Sequence, residues 1–477
     1  MVPVVRTSHG WVGPSKGHNG AVTGQRGRVG PGARARVAVA AGRAAGALSR
    51  ALGRGRGTAM PGRVALWFSP DLPARLTAGR TVVVVSGTNG KTTTTRYLAT
   101  ALRTQGPVLS NHGGANLRSG VASALLADTG DASGTAVLEV DEAALPAVLA
   151  ETKPAAVVLL NLSRDQLDRT SEVAWHARRW AAALSTVPDA VVVANADDPL
   201  VCSAVLTARP DAERVVWVGA GQPWTRDCPL CPRCTNAWEP PVGSWACRQC
   251  GFARPAAAWQ AAGEDLRVPG GRTVRADLGL PGRANVANAA MAVAAASCLG
   301  ASWEAALDAI RTVTDVGGRY LRTAYAGADV RLLLAKNPAG WAEVLDQLAG
   351  GTGPVVVSVN ARAADGRDTS WLWDVPFEQL AGRPVVAAGD RAADVSLRLR
   401  YAAVPHVVRP DVLGSLPELV GAPGGAVDVV ANYTAFATVR DALARHGTNM
   451  KNVTVVRVPG AWEIPVIAHR LAQSGKF

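Results

Sequence analysis

Thr81-Val82-Val83-Val84-Val85-Ser86-Gly87-Thr88-Asn89-Gly90-Lys91-Thr92-Thr93 joins an unbroken apolar run to a glycine-rich turn. The run predicts a buried strand, and the turn predicts a loop that opens a helix. Such a junction suits phosphate: glycines let backbone N–H groups close on phosphate oxygens, and the helix start adds a favourable dipole. Lys91 supplies a point charge, and the Thr92 hydroxyl suits Mg²⁺. Gly87, Thr88, Asn89, Gly90, Lys91 and Thr92 are therefore candidate nucleotide-binding residues. The longer Walker pattern has a further glycine where Val85 stands, so this loop is a shortened variant.

Outward from the loop, a helix is expected over Thr93 to Thr104, then strands at Thr135 to Val140, Ala155 to Leu160 and Ala190 to Ala194. A helix over Glu172 to Leu184 separates two of them. Continuous apolar strands alternating with helices imply a parallel sheet covered on both faces, with ligands at the carboxyl ends of its strands. Glu139 closes the strand after the loop, where a nucleotide-bound Mg²⁺ needs an anionic oxygen. Asp141 and Glu142 fit a helix-capping role better. Asn195 and Asp198, in Asn195-Ala196-Asp197-Asp198-Pro199, and Asn161 with Asp165, follow two further strands. Each alone reads as an Asx-turn; together with the loop they suggest one nucleotide and metal pocket.

The alanine- and valine-rich background breaks at Gly219 to Pro255. Cys231-Pro232-Arg233-Cys234 and Cys247-Arg248-Gln249-Cys250-Gly251 form paired CxxC knuckles, a spacing that suits a structural tetrahedral Zn²⁺ site. Cys228 also makes a CxxC with Cys231, but Pro232 and Gly251 favour the Cys231/Cys234 register. Cys202 and Cys298 read as core residues. Helices are expected over Asn285 to Cys298 and Trp303 to Thr312, and a domain boundary at Gly317-Gly318-Arg319-Tyr320. A second α/β block follows, with strands at Val330 to Ala335, Val355 to Val359, Val385 to Ala388 and Val427 to Ala431. Its helices are expected to start at Ala339, Pro376, Ala392 and Tyr433. Lys336, at a strand end before a helix, can neutralise phosphate. The loop Asp365-Gly366-Arg367-Asp368-Thr369-Ser370-Trp371-Leu372-Trp373-Asp374 offers two tryptophans beside acids, either as a partner or substrate surface or as a cap on the core.

The chain has 477 residues, enough for two or three domains, and a formal charge of +13. Lys16 and ten arginines lie in residues 1–70 without one Asp or Glu, so the remainder carries only about +2. The body is thus not read as a nucleic-acid binder. Residues 1–33 read as a disordered basic leader, and Ala35 to Leu52 as a helix expected to pack on the body rather than to touch anionic lipid. No long uncharged apolar run is present, so a soluble cytoplasmic protein is expected. Lysine is scarce, six against forty-four arginines, which makes each body Lys a candidate for chemistry that needs a compact ammonium.

Gly87 to Thr92, Asn195 to Pro199, Gly282-Arg283-Ala284-Asn285-Val286-Ala287-Asn288 and Gly318-Arg319 occur in the order seen in Mur ligases. The Cys₄ insertion, Ala335 to Trp341, Ala364 to Asp368, Ser370 to Asp374, Gly389-Asp390-Arg391 and Asn432 to Ala435 narrow the resemblance to the MurT family, the Mur-ligase-like subunits of lipid II isoglutaminyl synthase. The resemblance covers about Arg34 to His446. It implies a P-loop-type parallel-sheet domain at 34–320, with a zinc ribbon inserted near 220–262, and a Rossmann-like α/β domain at 321–447.

The implied activity is ATP-dependent amidation, through an acyl phosphate, of the D-glutamate α-carboxyl in the lipid II stem peptide, at the inner membrane face. The ammonia would come from a separate glutamine amidotransferase subunit, GatD, in a heterodimer. Lys91 and Thr92 would hold phosphates and Mg²⁺, Glu139 would ligate Mg²⁺, and Asn285, Asn288 and Arg319 would bind nucleotide. Lys336 would sit by the acyl phosphate, and Asp374, ahead of Asp368, would complete the partner's Cys–His pair. Gln166 stands where Mur ligases usually have His, and the following helix has Arg178 and Arg179 but no Lys to carbamylate, so a second Mg²⁺ site is not implied. An amino-acid-adding Mur or folylpolyglutamate-type ligase and a zinc-ribbon nucleic-acid binder are the rival readings. Residues 448–477 resemble a short internal piece of lumazine synthase, too short to rebuild that fold, and read as a fusion or reading-frame scar.

Overall fold

The computed structural model describes residues 33–51, 59–111, 115–128, 134–165, 173–221, 227–238, 244–314, 320–419, 425–448, 453–456 and 466–469. Two sheets organise it. The first contains β1 (Thr81–Ser86), β2 (Val108–Ser110), β3 (Thr135–Glu139), β4 (Ala156–Leu159), β5 (Val191–Asn195), β6 (Val215–Gly219), β7 (Trp259–Ala262), β8 (Asp265–Arg267) and β9 (Thr273–Arg275). Their order is β2-β3-β1-β4-β5-β6-β7-β8-β9, parallel through β7, with β8 and β9 added antiparallel.

The valine run explains the central position of β1. Val82 and Val84 face one core with Leu138, Val157 and Trp180, whereas Val83 and Val85 face the other with Tyr97 and Leu98. A strand with both faces covered needs no polar alternation. The second core is closed by the helix Arg283–Cys298, in which every residue from Ala289 to Ala296 is buried. Its small side chains let it lie close against Lys91–Leu102, the helix opened by the glycine-rich turn.

The second sheet contains β10 (Tyr320–Tyr325), β11 (Ala328–Leu334), β12 (Val355–Ser358), β13 (Val385–Ala388), β14 (His406–Val408) and β15 (Ala426–Ala431). The order is β10-β11-β15-β12-β13-β14, and only β10 runs antiparallel to its neighbour. The segment expected to start an α-helix at Pro376 is instead a 3₁₀ turn, Phe377–Leu380. Phe377 and Leu380 eclipse at three-residue spacing and both enter the core, and Gly382, at φ 84°, turns the chain away. In the tail, Val453–Val456 pairs antiparallel with Val466–His469 as β16 and β17.

Near the start, the helix Ala33–Ala51 buries Ala35, Ala38 and Gly42 against the helix Met60–Phe68. A Cβ on Gly42 would stand 2.8 Å from the Pro61 carbonyl oxygen, so the two backbones approach closely. Among the described residues, no helix is long and apolar enough to cross a membrane.

One buried acid sits in the middle of the second sheet. Asp428 on β15 accepts from Arg331 at 2.6 Å and from Arg383 at 2.8 Å, and Arg383 is itself buried. Removing the acid strands a desolvated guanidinium, so Asp428→Ala is expected to cost about 3–5 kcal/mol, read as a lower urea midpoint. Arg331→Ala, at the half-exposed partner, should cost far less.

Candidate nucleotide and acyl-transfer site

The turn after β1 is held by side chains from neighbouring strand ends. The Asn161 side chain pairs with Asn89, accepting from its backbone N–H at 2.8 Å and donating to its carbonyl at 3.1 Å. The Thr88 hydroxyl donates to the Ser163 carbonyl and accepts from the Ser163 N–H at 3.0 Å. Gly90, at φ 84°, holds a backbone conformation that favours glycine, and a Cβ there would come within 2.3 Å of Asn288 Oδ1 and displace that amide.

Lys91 is buried, with Nζ donating to the Gly87 carbonyl at 2.5 Å, the Thr88 carbonyl at 3.2 Å and Glu142 Oε2 at 3.0 Å. Burial opposes its charge, but Glu142, Asp141 and Glu139 outweigh that and hold the ammonium above its usual range. Burial likewise works against the Glu142 carboxylate, yet Lys91 and Lys336 keep it below the usual range. For Asp141, burial and the Glu142 charge prevail and raise it. Glu139 is buried at the end of β3, within 3.4 Å of the Asn116 amide, and its backbone is clamped by Asn111. The Glu139 carboxylate thus lies at the end of the strand next to β1, close enough to Lys91 to favour its charge. Glu142, which fitted a capping role better in the sequence, is the acid that engages Lys91.

The other candidates divide. Asn288 lines a small cleft with Asn89, Gly90, Asn195 and Ala339. The Asn195 amide donates to the Leu160 carbonyl at 2.8 Å and its oxygen accepts from the Asp197 N–H. Asp198 caps the helix Pro199–Ala208 through Leu200 and Val201 N–H and also accepts from Leu162 N–H at 2.8 Å, so its oxygens serve the backbone. Asn285 is turned onto the Pro281 carbonyl at 2.6 Å and is not part of the cleft wall. Arg319 and Gln166 lie outside the described residues.

The second sheet reaches this turn directly. Lys336 Nζ bonds Asp165 Oδ2 at 2.6 Å, and Asn337 donates to Asn89 Oδ1 at 3.1 Å while capping its own helix at Gly340. Arg164, which sequence reasoning missed, binds Asp227 and also reaches Asp374 at 3.0 Å. Asp368 accepts from the Ser370 N–H at 2.8 Å, which holds its carboxyl below the usual range. The tryptophan pair splits: Trp371 is buried against Trp341, whereas Trp373 is 51% exposed and meets Tyr401 edge-on at 5.2 Å. A cavity of about 960 Å³ opens beside these groups, lined by Thr88, Glu142, Asp165, His176 and Arg178 and by the first Cys knuckle.

In the Cys-rich insertion, the sulfurs of Cys231, Cys234, Cys247 and Cys250 all lie within 4.8 Å of one another, a donor set and spacing that fit one tetrahedral metal ion. Each knuckle is closed alike: Thr235 N–H bonds the Cys231 carbonyl at 2.8 Å and Gly251 N–H bonds the Cys247 carbonyl at 2.9 Å, with positive φ at both turn residues. Cys228 stands outside the cluster, buried, its thiol pushed up to about 12 by that burial. Cys202 is buried, and burial raises its thiol too.

Comparison with known proteins agrees with this geometry. Residues 85–227 match the Mur ligase middle domain, 334–436 the MurT ligase C-terminal domain, and 430–477 the 6,7-dimethyl-8-ribityllumazine synthase family. The Staphylococcus aureus (strain COL) protein named lipid II isoglutaminyl synthase (glutamine-hydrolyzing) subunit MurT is 30% identical over 83% of this chain and 95% of its own length. Its Streptococcus pneumoniae namesake is 31% identical over 82% and 93%. The tail is 57% identical to a Desulfovibrio desulfuricans 6,7-dimethyl-8-ribityllumazine synthase, but over 37 residues, 24% of that protein. Among solved structures, MurF from Acinetobacter baumannii superposes with a TM-score of 0.59 at 20% identity, covering 80% of each chain. A pseudomurein peptide ligase type C from Methanothermus fervidus superposes with the same score, 0.59, covering 77% of this chain and 79% of its own. With both halves of the fold matched and the relatives covered almost end to end, the chain belongs to the MurT family of Mur-ligase-like proteins.

Proposed function

We propose that this chain is the synthetase subunit of a lipid II isoglutaminyl synthase, amidating the α-carboxyl of D-glutamate in the stem peptide at the expense of ATP. The observation that carries this reading is the convergence of Lys336 and Asn337, from the end of β11, on Asp165 and Asn89 beside the Lys91 turn. Two ammonium groups then flank the space in which a phosphoryl group passes from nucleotide to carboxylate. The substrate carboxylate oxygen attacks the γ-phosphorus and ADP leaves; ammonia then attacks the acyl carbon and inorganic phosphate departs as the nitrogen loses a proton. Lys91, freed from Glu142, screens the β- and γ-phosphates, and Lys336 screens the phosphate of the mixed anhydride. Thr92 and Glu139 would hold Mg²⁺, which supplies charge neutralisation between the phosphates. Asn288 and Arg319 belong to the nucleotide side of the proposal.

Ammonia in this reading comes from a glutamine amidotransferase subunit, GatD, docked at the exposed Trp373 and the half-buried Asp374, and Asp374, exchanging Arg164 for the partner, orients that partner's histidine. The four-cysteine cluster holds structural Zn²⁺. It buttresses the site through Arg254, which binds Asp197 at 2.5 Å, and Trp245, whose indole donates to the Asp197 carbonyl at 3.2 Å. The enzyme works on the cytoplasmic side of the membrane.

Three outcomes test the proposal. With the partner, ATP and lipid II, Lys91→Ala should lower amidation by roughly 10²–10³-fold, followed by mass spectrometry as loss of the hydroxyl-to-amino shift. Turnover of the variant at the parental rate rejects the phosphate-turn assignment. Asp374→Asn should abolish glutamine-driven amidation and leave ammonia-driven amidation intact; equal loss of both removes Asp374 from the partner's triad. Titrating the thiols with a mercurial should release one zinc per chain, and Cys247→Ser should lower both zinc content and the thermal midpoint. A metal-free chain of unchanged midpoint refutes the zinc site.

A further inference from the structure

The helix Ala33–Ala51 is two-faced in an unusual way. Its buried face, Ala35, Ala38, Gly42 and Gly46, is spent on the body, and Arg43 fastens it there through the Leu126 carbonyl at 3.0 Å. On the opposite side Val37, Ala40, Ala44 and Leu48 recur at helical spacing, and all four are exposed. The neighbouring helix adds Met60 and Trp67, the latter 77% exposed. Arg34 donates to the Phe68 carbonyl at 2.6 Å, so the Trp67 end of one helix meets the arginine-rich start of the other. Arg36 and Arg63 are exposed on the same two helices, and the chain's first acidic residue is Asp71.

We propose that this helical pair is a docking surface for an anionic lipid bilayer, seating the aliphatic row and Trp67 at the headgroup boundary while the arginines meet lipid phosphates. Charge complementarity chooses the occupant. The two helices carry five arginines and no acid, which attract a surface of negative headgroups, whereas the row of Val37, Leu48, Met60 and Trp67 gives a nucleic-acid phosphate backbone nothing to bind. The purpose of such docking rests on the lipid-linked substrate proposed above; the surface itself does not.

The test is co-sedimentation of the full chain with vesicles of phosphatidylcholine alone or of phosphatidylcholine with phosphatidylglycerol. The chain should bind the anionic vesicles, more weakly as salt rises. Leu48→Glu/Trp67→Glu should reduce affinity at least roughly tenfold, as should Arg36→Gln/Arg63→Gln, at about 1 kcal/mol per arginine. All four positions are exposed, so circular dichroism should be unchanged; if the glutamates disturb the fold, Leu48→Ser/Trp67→Ser replaces them. Equal binding to both vesicle types, or an apolar double variant that binds like its parent, overturns the proposal. So does a duplex DNA that displaces the vesicles and binds the apolar variant undiminished, which would make the surface a site for polyanions in general. Because no turnover is measured, failure here is distinguishable from failure of the amidation reading.

Discussion

A backbone turn of four residues, Gly87 to Gly90, has most of its polar groups already committed before any ligand enters. Asn161 pins Asn89 from the end of β4, Ser163 pins Thr88, Asn288 closes against Gly90, and Asn337 reaches in from the other sheet. This is preorganisation, and it fixes where the rest must stand. Glu139 has to end β3 because β3 pairs with β1 in register Val85 to Glu139. The helix Arg283–Cys298 has to be alanine-rich because it must bring Asn288 up to a glycine with no clearance.

The Cys-rich insertion is tied into that frame. Asp197, in the loop after β5, binds Arg254 on one oxygen and the Gly221 N–H on the other, while Trp245 covers its carbonyl. Trp238, Trp245 and Phe252 pack as an aromatic cluster between the two knuckles and the body. A small ribbon with little core of its own is thus anchored at both its metal cluster and its aromatics.

Much of this was legible in the sequence, because the strands are apolar on both faces and the turn chemistry is local. Val82 to Val85, Gly87 and Gly90 carry the first sheet and its loop by themselves, and the spacing of Cys231, Cys234, Cys247 and Cys250, with Pro232 and Gly251 choosing their register over Cys228, declares the cluster. What escaped depends on tertiary register. Glu142 looks like a capping acid until the parallel pairing of β1 with β3 brings it to Lys91. Arg164 and Asp374 are far apart in the chain and meet only when the two sheets face each other. Asn285 and Asn288 share one motif, yet only Asn288 lines the cleft, because the Asn285 amide turns back onto the Pro281 carbonyl at the helix start. The tryptophan pair left open between surface and core divides because both sit on one 3₁₀ turn, Ser370–Asp374, where a two-residue step points them to different sides.

Both ammonium groups at the site are already matched with carboxylates, Lys91 with Glu142 and Lys336 with Asp165. For inhibitor chemistry this sets a threshold. A neutral compound that fills the cleft leaves those two internal contacts in place and gains nothing from either cation. A compound bearing a compact dianion can exchange with the resident acids, and its potency should track how completely it displaces them.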